Sequence, residues 1–101
     1  MLIIKCSSNN FPGYITNIEK NTLDNSNYRH VVFTSKHSQL VLMSIPPGEE
    51  IGNETHDLDQ FIRFESGQGS IVMDGVEKEV SDGFAIVVPE GVSHNESTPQ
   101  K

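Results

Sequence analysis

The sequence predicts a small all-β domain, a sandwich or a barrel of short strands. Three observations carry that expectation. Short β-forming runs alternate with clusters of Gly, Pro, Asn and Asp along most of the chain. No long stretch repeats apolar residues at the three-and-four spacing of a helix. Asp74-Gly75 sits between two β-forming runs, a hairpin signal, because Gly accepts the positive φ of a tight turn.

The elements follow in order. Leu2–Lys5 is an apolar β-forming run, and the stretch after it ends on Phe11-Pro12-Gly13, a turn. Tyr14–Ile18 is the second expected strand, and the Asn-rich segment Asn21–Tyr28 is read as a loop. His30–Thr34, Leu40–Ile45, Glu54–Phe64, Ser70–Asp74, Val76–Val80 and Phe84–Val88 are the remaining strands. The tail Asn95–Lys101 is polar, contains Pro99 and offers no strand signal.

The 101 residues are expected to form one domain, 1–101. A chain this short buries roughly two-thirds of its unfolded surface at most, enough for one core. Net charge is −7, with 14 acidic residues against 7 basic ones. The basic footprint of nucleic-acid binding is therefore missing, and the acidic balance argues against anionic membranes. A phosphorylated substrate stays compatible, because a bound metal adds positive charge that the count omits. The single cysteine, Cys6, allows no intrachain disulfide and suits a reducing compartment. The apolar start is too short for a signal peptide, and no apolar run has transmembrane length. A cytoplasmic protein is expected. The sequons at Asn53 and Asn95 adjoin the candidate site below and are read as chance.

The chemistry concentrates between Pro46 and Thr98. Side chains two apart on a strand point the same way, so Glu54 and His56 share a face. Gln60 and then Ile62 and Phe64 keep that parity if the strand runs unbroken. His94 follows a later β-run and the turn Pro89-Glu90-Gly91, where a neighbouring strand can bring it opposite. A carboxylate, two imidazoles and an amide oxygen are competent ligands for a first-row divalent ion. No thiolate lies nearby, which disfavours a closed structural zinc site. Four protein ligands on a six-coordinate ion would leave two positions for water or substrate.

These residues resemble the cupin superfamily at both of its motifs. The first motif usually reads Gly, five residues, His-x-His, three or four residues, Glu, six residues, Gly. Here Gly48, Glu54-x-His56, Gln60 and Gly67 keep those spacings over 48–67. The second usually reads Gly, five residues, Pro-x-Gly, two residues, His, three residues, Asn. Here Gly83, Pro89-x-Gly91, His94 and Thr98 keep them over 83–98. The wider stretch from Ser44 to Gly52, through Asp59-Gln60-Phe61 to His94-Asn95, is similar to small cupins of the mannose-6-phosphate-isomerase-like subgroup, a fold-level likeness that says little of the reaction.

The resemblance implies a jelly-roll barrel, or double-stranded β-helix, holding one divalent metal on Glu54, His56, Gln60 and His94. Glu54 replaces the usual first His and Gln60 the usual Glu, so the carboxylate has in effect moved. Net site charge stays at about +1 with a divalent ion, and an amide oxygen in place of an imidazole favours harder metals, manganese or iron, with nickel or zinc compatible. Ile62 and Phe64 are most simply core and are also the candidates for lining a substrate pocket. The glycines of the motifs are read as turn residues, Asp57 and Asp59 as solvated charges, His30 and His37 as non-ligands, and Arg63, on the opposite parity, as an ion-pair or subunit contact.

Three functional readings follow from the resemblance. One is a metal-dependent enzyme on a small polar substrate, either sugar or sugar-phosphate isomerase-like or dioxygenase-like. The second is a non-catalytic small-ligand-binding module, and the third a shortened, inactive relative. Related cupins continue past the second motif with at least one more strand, whereas here seven residues follow His94. A C-terminally shortened barrel with an open edge is therefore expected, and with it a homodimer in which Leu2–Lys5 pairs on a partner's edge. The alternative keeps that run in its own sheet and dimerises through sheet faces.

Overall fold

The computed structural model describes residues 12–99. Its elements run α1 (Ile18–Asp24), β1 (Arg29–Thr34), β2 (Gln39–Met43), β3 (Gln60–Arg63), β4 (Gln68–Met73), β5 (Val76–Ser81), β6 (Ala85–Val88) and β7 (His94–Ser97). All strand pairs are antiparallel: β1 with β2, β3 with β6, and β5-β4-β7 in one sheet. The all-β jelly-roll expectation holds. Among the described residues no helix is long and apolar enough to cross a membrane.

The β4–β5 hairpin forms where Asp74-Gly75 predicts it. Met73 pairs with Val76, so the loop is two residues long. Both loop residues take positive φ, 49° at Asp74 and 80° at Gly75. That is the twist-matched turn that Asp-Gly favours. Alternation on β6 buries Ile86 and Val88 and exposes Ala85 and Val87. Ile71 on β4 and Val80 on β5 complete the buried cluster, with Ile62, Phe64, Met73 and Val92 packed against it. Leu42 is buried on β2.

Five expectations are corrected. Tyr14–Ile18 is not a strand; those residues lead into α1, which occupies part of the expected loop. Asn17 caps α1 by accepting from the Lys20 N–H at 3.0 Å. The helix spans seven residues and buries none of them, so it had no apolar stripe to announce it. The long strand Glu54–Phe64 is broken: only Gln60–Arg63 is continuous, and Glu54 makes an isolated bridge. Finally, His94–Ser97 is a strand despite its polar sequence, and the sheet edge expected after the second motif is not open. β7 pairs with β4 on one side, while bridges Glu50–Ser97 and Glu54–His94 hold residues 50–54 on the other. Hydrogen bonds from Ile51 N–H to Glu96 O (2.9 Å) and Thr98 N–H to Glu49 O (3.0 Å) continue that lacing. The Leu2–Lys5 run lies outside the described residues.

Gly69 shows how closely this sheet is packed. A Cβ there would lie 2.7 Å from the Phe64 ring and 2.9 Å from the Ser97 carbonyl oxygen. The ring packs against the core cluster, and the carbonyl is backbone of β7 and cannot yield cheaply. Gly69→Ala is therefore expected to destabilise the domain by about 1–3 kcal/mol, as overpacking does. Equilibrium urea unfolding checks this; an unchanged midpoint would show that β4 and β7 have slack.

Candidate metal site

The site is assembled by one backbone contact. The Glu54 N–H donates to His94 O at 2.8 Å, and the His94 N–H returns to Glu54 O at 3.0 Å. Two residues forty positions apart in sequence are thereby fixed side by side. The Gly91 N–H donates to His56 O at 2.8 Å, and the Glu90 N–H donates to Asp59 Oδ1 at 3.0 Å. The turn before His94 is thus tied to the loop after His56. Asp59, expected as a solvated charge, is an anchor between the two motifs. Asn95 Oδ1 accepts from the Gly52 N–H at 2.9 Å and pins the approach to Glu54.

These ties bring Glu54, His56 and His94 together. One ligand atom from each lies within 4.8 Å of the others. His56 Nε2 and Glu54 Oε2 are 2.8 Å apart, both side chains being half-buried. The His56 and His94 rings stand 5.6 Å apart between centroids, tilted by 43°. His94 is 2% exposed, the most deeply buried large side chain described. Its Nδ1 lies 2.7 Å from Glu96 Oε1, and its Nε2 is buried with no hydrogen-bond partner. Gln60 opens β3, opposite Val88, and its Oε1 is likewise buried and unpartnered.

Both orphaned atoms are electron-pair donors. Leaving a buried polar atom unpaired costs about 1–3 kcal/mol, so native folds rarely keep one without a use. An imidazole nitrogen, an amide oxygen, a carboxylate and a second imidazole suit a first-row divalent ion, and the orphans fit such a ligand. Alternation held where the strand did not: Glu54, His56, Gln60 and Ile62 are at least half-buried, and Thr55, Phe61 and Arg63 are exposed. Ile62 and Phe64 pack against the core cluster. Arg63, on the outer parity, lies against the Glu65 carboxylate.

Glu96 was not singled out from the sequence, although the signal is the one that paired Glu54 with His56. It stands two residues after His94 and so shares its face. The polar tail gave no reason to apply that parity there.

With the geometry in place, comparison with known proteins adds the lineage. The family model described as "Cupin domain" matches residues 41–100, and the chain belongs to that family. It is 40% identical over 89 residues to the protein YrkC of Bacillus subtilis (strain 168), covering 81% of this chain and 48% of that one. It is 44% identical over 92 residues to a protein of Acanthamoeba polyphaga mimivirus, covering 86% and 57%. The chain thus spans about half the length of the curated relatives it matches. Among solved structures, BH2720 of Bacillus halodurans aligns with a TM-score of 0.84 at 38% identity, covering 93% of this chain and 76% of that one. A cupin-2 domain containing protein of Shewanella frigidimarina aligns at 0.66 and 22% identity, covering 85% and 84%, and supports the fold alone.

The Asn95 contact yields a direct test. Asn95→Ala removes the partner of the Gly52 N–H and is expected to cost about 1 kcal/mol in stability. The loop carrying Glu54 should loosen with it. Denaturant unfolding and amide exchange at Gly52 measure both; unchanged exchange would show that the backbone bridges alone hold the loop.

Proposed function

We propose that this chain binds one divalent metal through Glu54, His56, Gln60 and His94 and acts as a metal-dependent enzyme on a small polar molecule. The observation that carries the proposal is the Glu54–His56–His94 cluster, in which His94 Nε2 is buried without a partner. Manganese or iron is the favoured ion, since half of the donor set is hard oxygen, with nickel or zinc compatible. When bound, such an ion supplies Lewis acidity and exchangeable positions for substrate oxygens.

The chain's own residues do the rest. Glu54 contributes the anionic donor and His56 and His94 the imidazoles. Gln60 adds a neutral oxygen, which leaves the site net positive toward an anionic or oxygen-rich ligand. Ile62 and Phe64 give the adjoining apolar wall. Two reaction classes suit this arrangement: isomerisation of a sugar or sugar phosphate, in the manner of the mannose-6-phosphate-isomerase-like subgroup, and dioxygenation. A cytoplasmic setting is part of the proposal, supported by the lone Cys6.

One observation favours a second reading, a non-catalytic ligand-binding module. Both carboxylates at the cluster are engaged with histidines, Glu54 with His56 and Glu96 with His94. An isomerase needs a free acid/base over its substrate. Stabilisation by sugar phosphates without turnover would decide for the module.

A homodimer is also proposed. Its support is the outer face of β3 and β6, where Phe61 and Val87 are direct partners and remain 69% and 61% exposed. A second copy placed about a two-fold axis would cover this apolar pair. Light scattering should give twice the chain mass, and Phe61→Glu should give a monomer. A monomeric parent sinks the dimer outright.

Elemental analysis should find about one first-row divalent ion per chain, and His56→Ala with His94→Ala should abolish it. Gln60→Glu adds a carboxylate and should tighten manganese by about an order of magnitude, since ligand charge tunes affinity for hard cations. If the double variant keeps its metal, the ligand assignment is wrong; if Gln60→Glu leaves affinity unchanged, Gln60 stands outside the ligand set.

A further inference from the structure

We propose that Glu96 is a positioning residue for His94. Its carboxylate fixes the imidazole with the proton on Nδ1 and so delivers Nε2, as a lone pair, to the Glu54–His56 cluster. This inference rests on the metal reading above and extends it to a position that the second cupin motif leaves unspecified.

The argument begins with an anomaly of burial. Glu96 is 3% exposed, and its register partner on β4 is Ile71, a member of the apolar core. An ionised carboxylate in such a place is costly unless it is paired. Its one ion-pair partner among the described residues is His94, at 2.7 Å, itself 2% exposed. An apolar side chain would fill this inward position on β7 without that cost. Packing alone therefore does not account for Glu96.

What the carboxylate does to His94 accounts for it. An ionised carboxylate only accepts hydrogen bonds, so Nδ1 must carry the hydrogen. The neutral ring then has its lone pair on Nε2, the atom that is buried without a partner. Orientation is fixed at the same time. The main chain of Glu96 is held from both sides, by the ladder to β4 and by the Ile51 N–H on its carbonyl oxygen at 2.9 Å. A carboxylate on so constrained a backbone holds the ring in one plane. His56 has a different environment: its Nε2 faces Glu54 itself, and its side chain is 39% exposed. Of the two imidazoles, His94 is the preorganised one.

Two measurements test this. Long-range ¹⁵N–¹H correlation spectra of the metal-free parent, at mildly alkaline pH, should show His94 as the Nδ1–H tautomer. Glu96→Gln nearly preserves shape but removes the charge and can present N–H to the ring. In that variant the Nε2–H form should gain population, and manganese affinity by calorimetry should fall about 10- to 100-fold, the usual cost of losing such a supporting group. A merely structural role would lower the melting temperature and leave the tautomer unchanged. A parent with the proton on Nε2 overturns the proposal, and needs no variant to fold. So does a folded Glu96→Gln protein that binds manganese within about twofold of the parent. A parent that shows the Nδ1–H tautomer but binds no manganese sinks the metal reading while upholding Glu96 as the residue that sets the ring.

Discussion

The reciprocal backbone bridge between Glu54 and His94 is the contact on which the site depends. It is made of two hydrogen bonds, 2.8 and 3.0 Å long. Without it the two motifs are a loop and a polar tail. With it, β7 lies between β4 and residues 50–54, and inward positions on both sides of the bridge converge. The side chains need no long reach, because strand parity presents Glu54, His56, His94 and Glu96 to the interior. The site is thus a consequence of register. A slip of one residue in β7 would turn His94 and Glu96 outward and put Asn95 and Ser97 in their place.

What the sequence made legible follows from that register. Parity identified Glu54, His56 and Gln60 as inward even though their strand is interrupted after Glu54. The chain bends at residues 57–58, and the inward parity of 54 and 56 resumes at 60 and 62. Asp74-Gly75 announced its hairpin because the turn demands positive φ at both positions, and local sequence alone settles that. β7 could not be read this way. His94-Asn95-Glu96-Ser97 contains no apolar residue, and its strand state comes from the ladders on either side. Its inward residues, His94 and Glu96, are hydrogen-bonded to each other and take the place of a hydrophobic alternation. α1 was illegible for the opposite reason: a local cap at Asn17 sets a helix that buries nothing. In one case tertiary contacts override a weak propensity, and in the other local capping acts where no tertiary pattern exists.

The same interior explains why site and stability are hard to separate here. Among the described residues only Leu42, Ile71, Val80, Ile86 and Val88 are fully buried apolar side chains. Two ionisable residues, His94 and Glu96, share that interior. Their hydrogen bond offsets part of the desolvation, but His94 Nε2 and Gln60 Oε1 remain unpaired. At about 1–3 kcal/mol each, two such orphans weigh heavily against the 5–15 kcal/mol total of a typical domain. A ligand that engages both atoms relieves that cost only in the folded state. Its binding therefore raises folding stability by linkage, and occupancy of the site and integrity of the barrel rise together.

Charge gives the last constraint. The cluster and its supporting residue bring two carboxylates, Glu54 and Glu96, into one small volume, and each has taken a histidine as partner. Glu54 does so at a half-buried position and Glu96 in the interior. The two pairs differ in what they can exchange. Glu54 and His56 reach solvent, so a cation can come between them by displacing their mutual hydrogen bond. The His94–Glu96 bond cannot be entered that way, because both partners are buried. The outer pair is accordingly the adjustable half of the site and the inner pair the fixed half. Any ion held here would have the half-exposed Glu54–His56 pair on its solvent side and the buried His94 on its inner side, so the depth of His94 sets how far from solvent the site can lie.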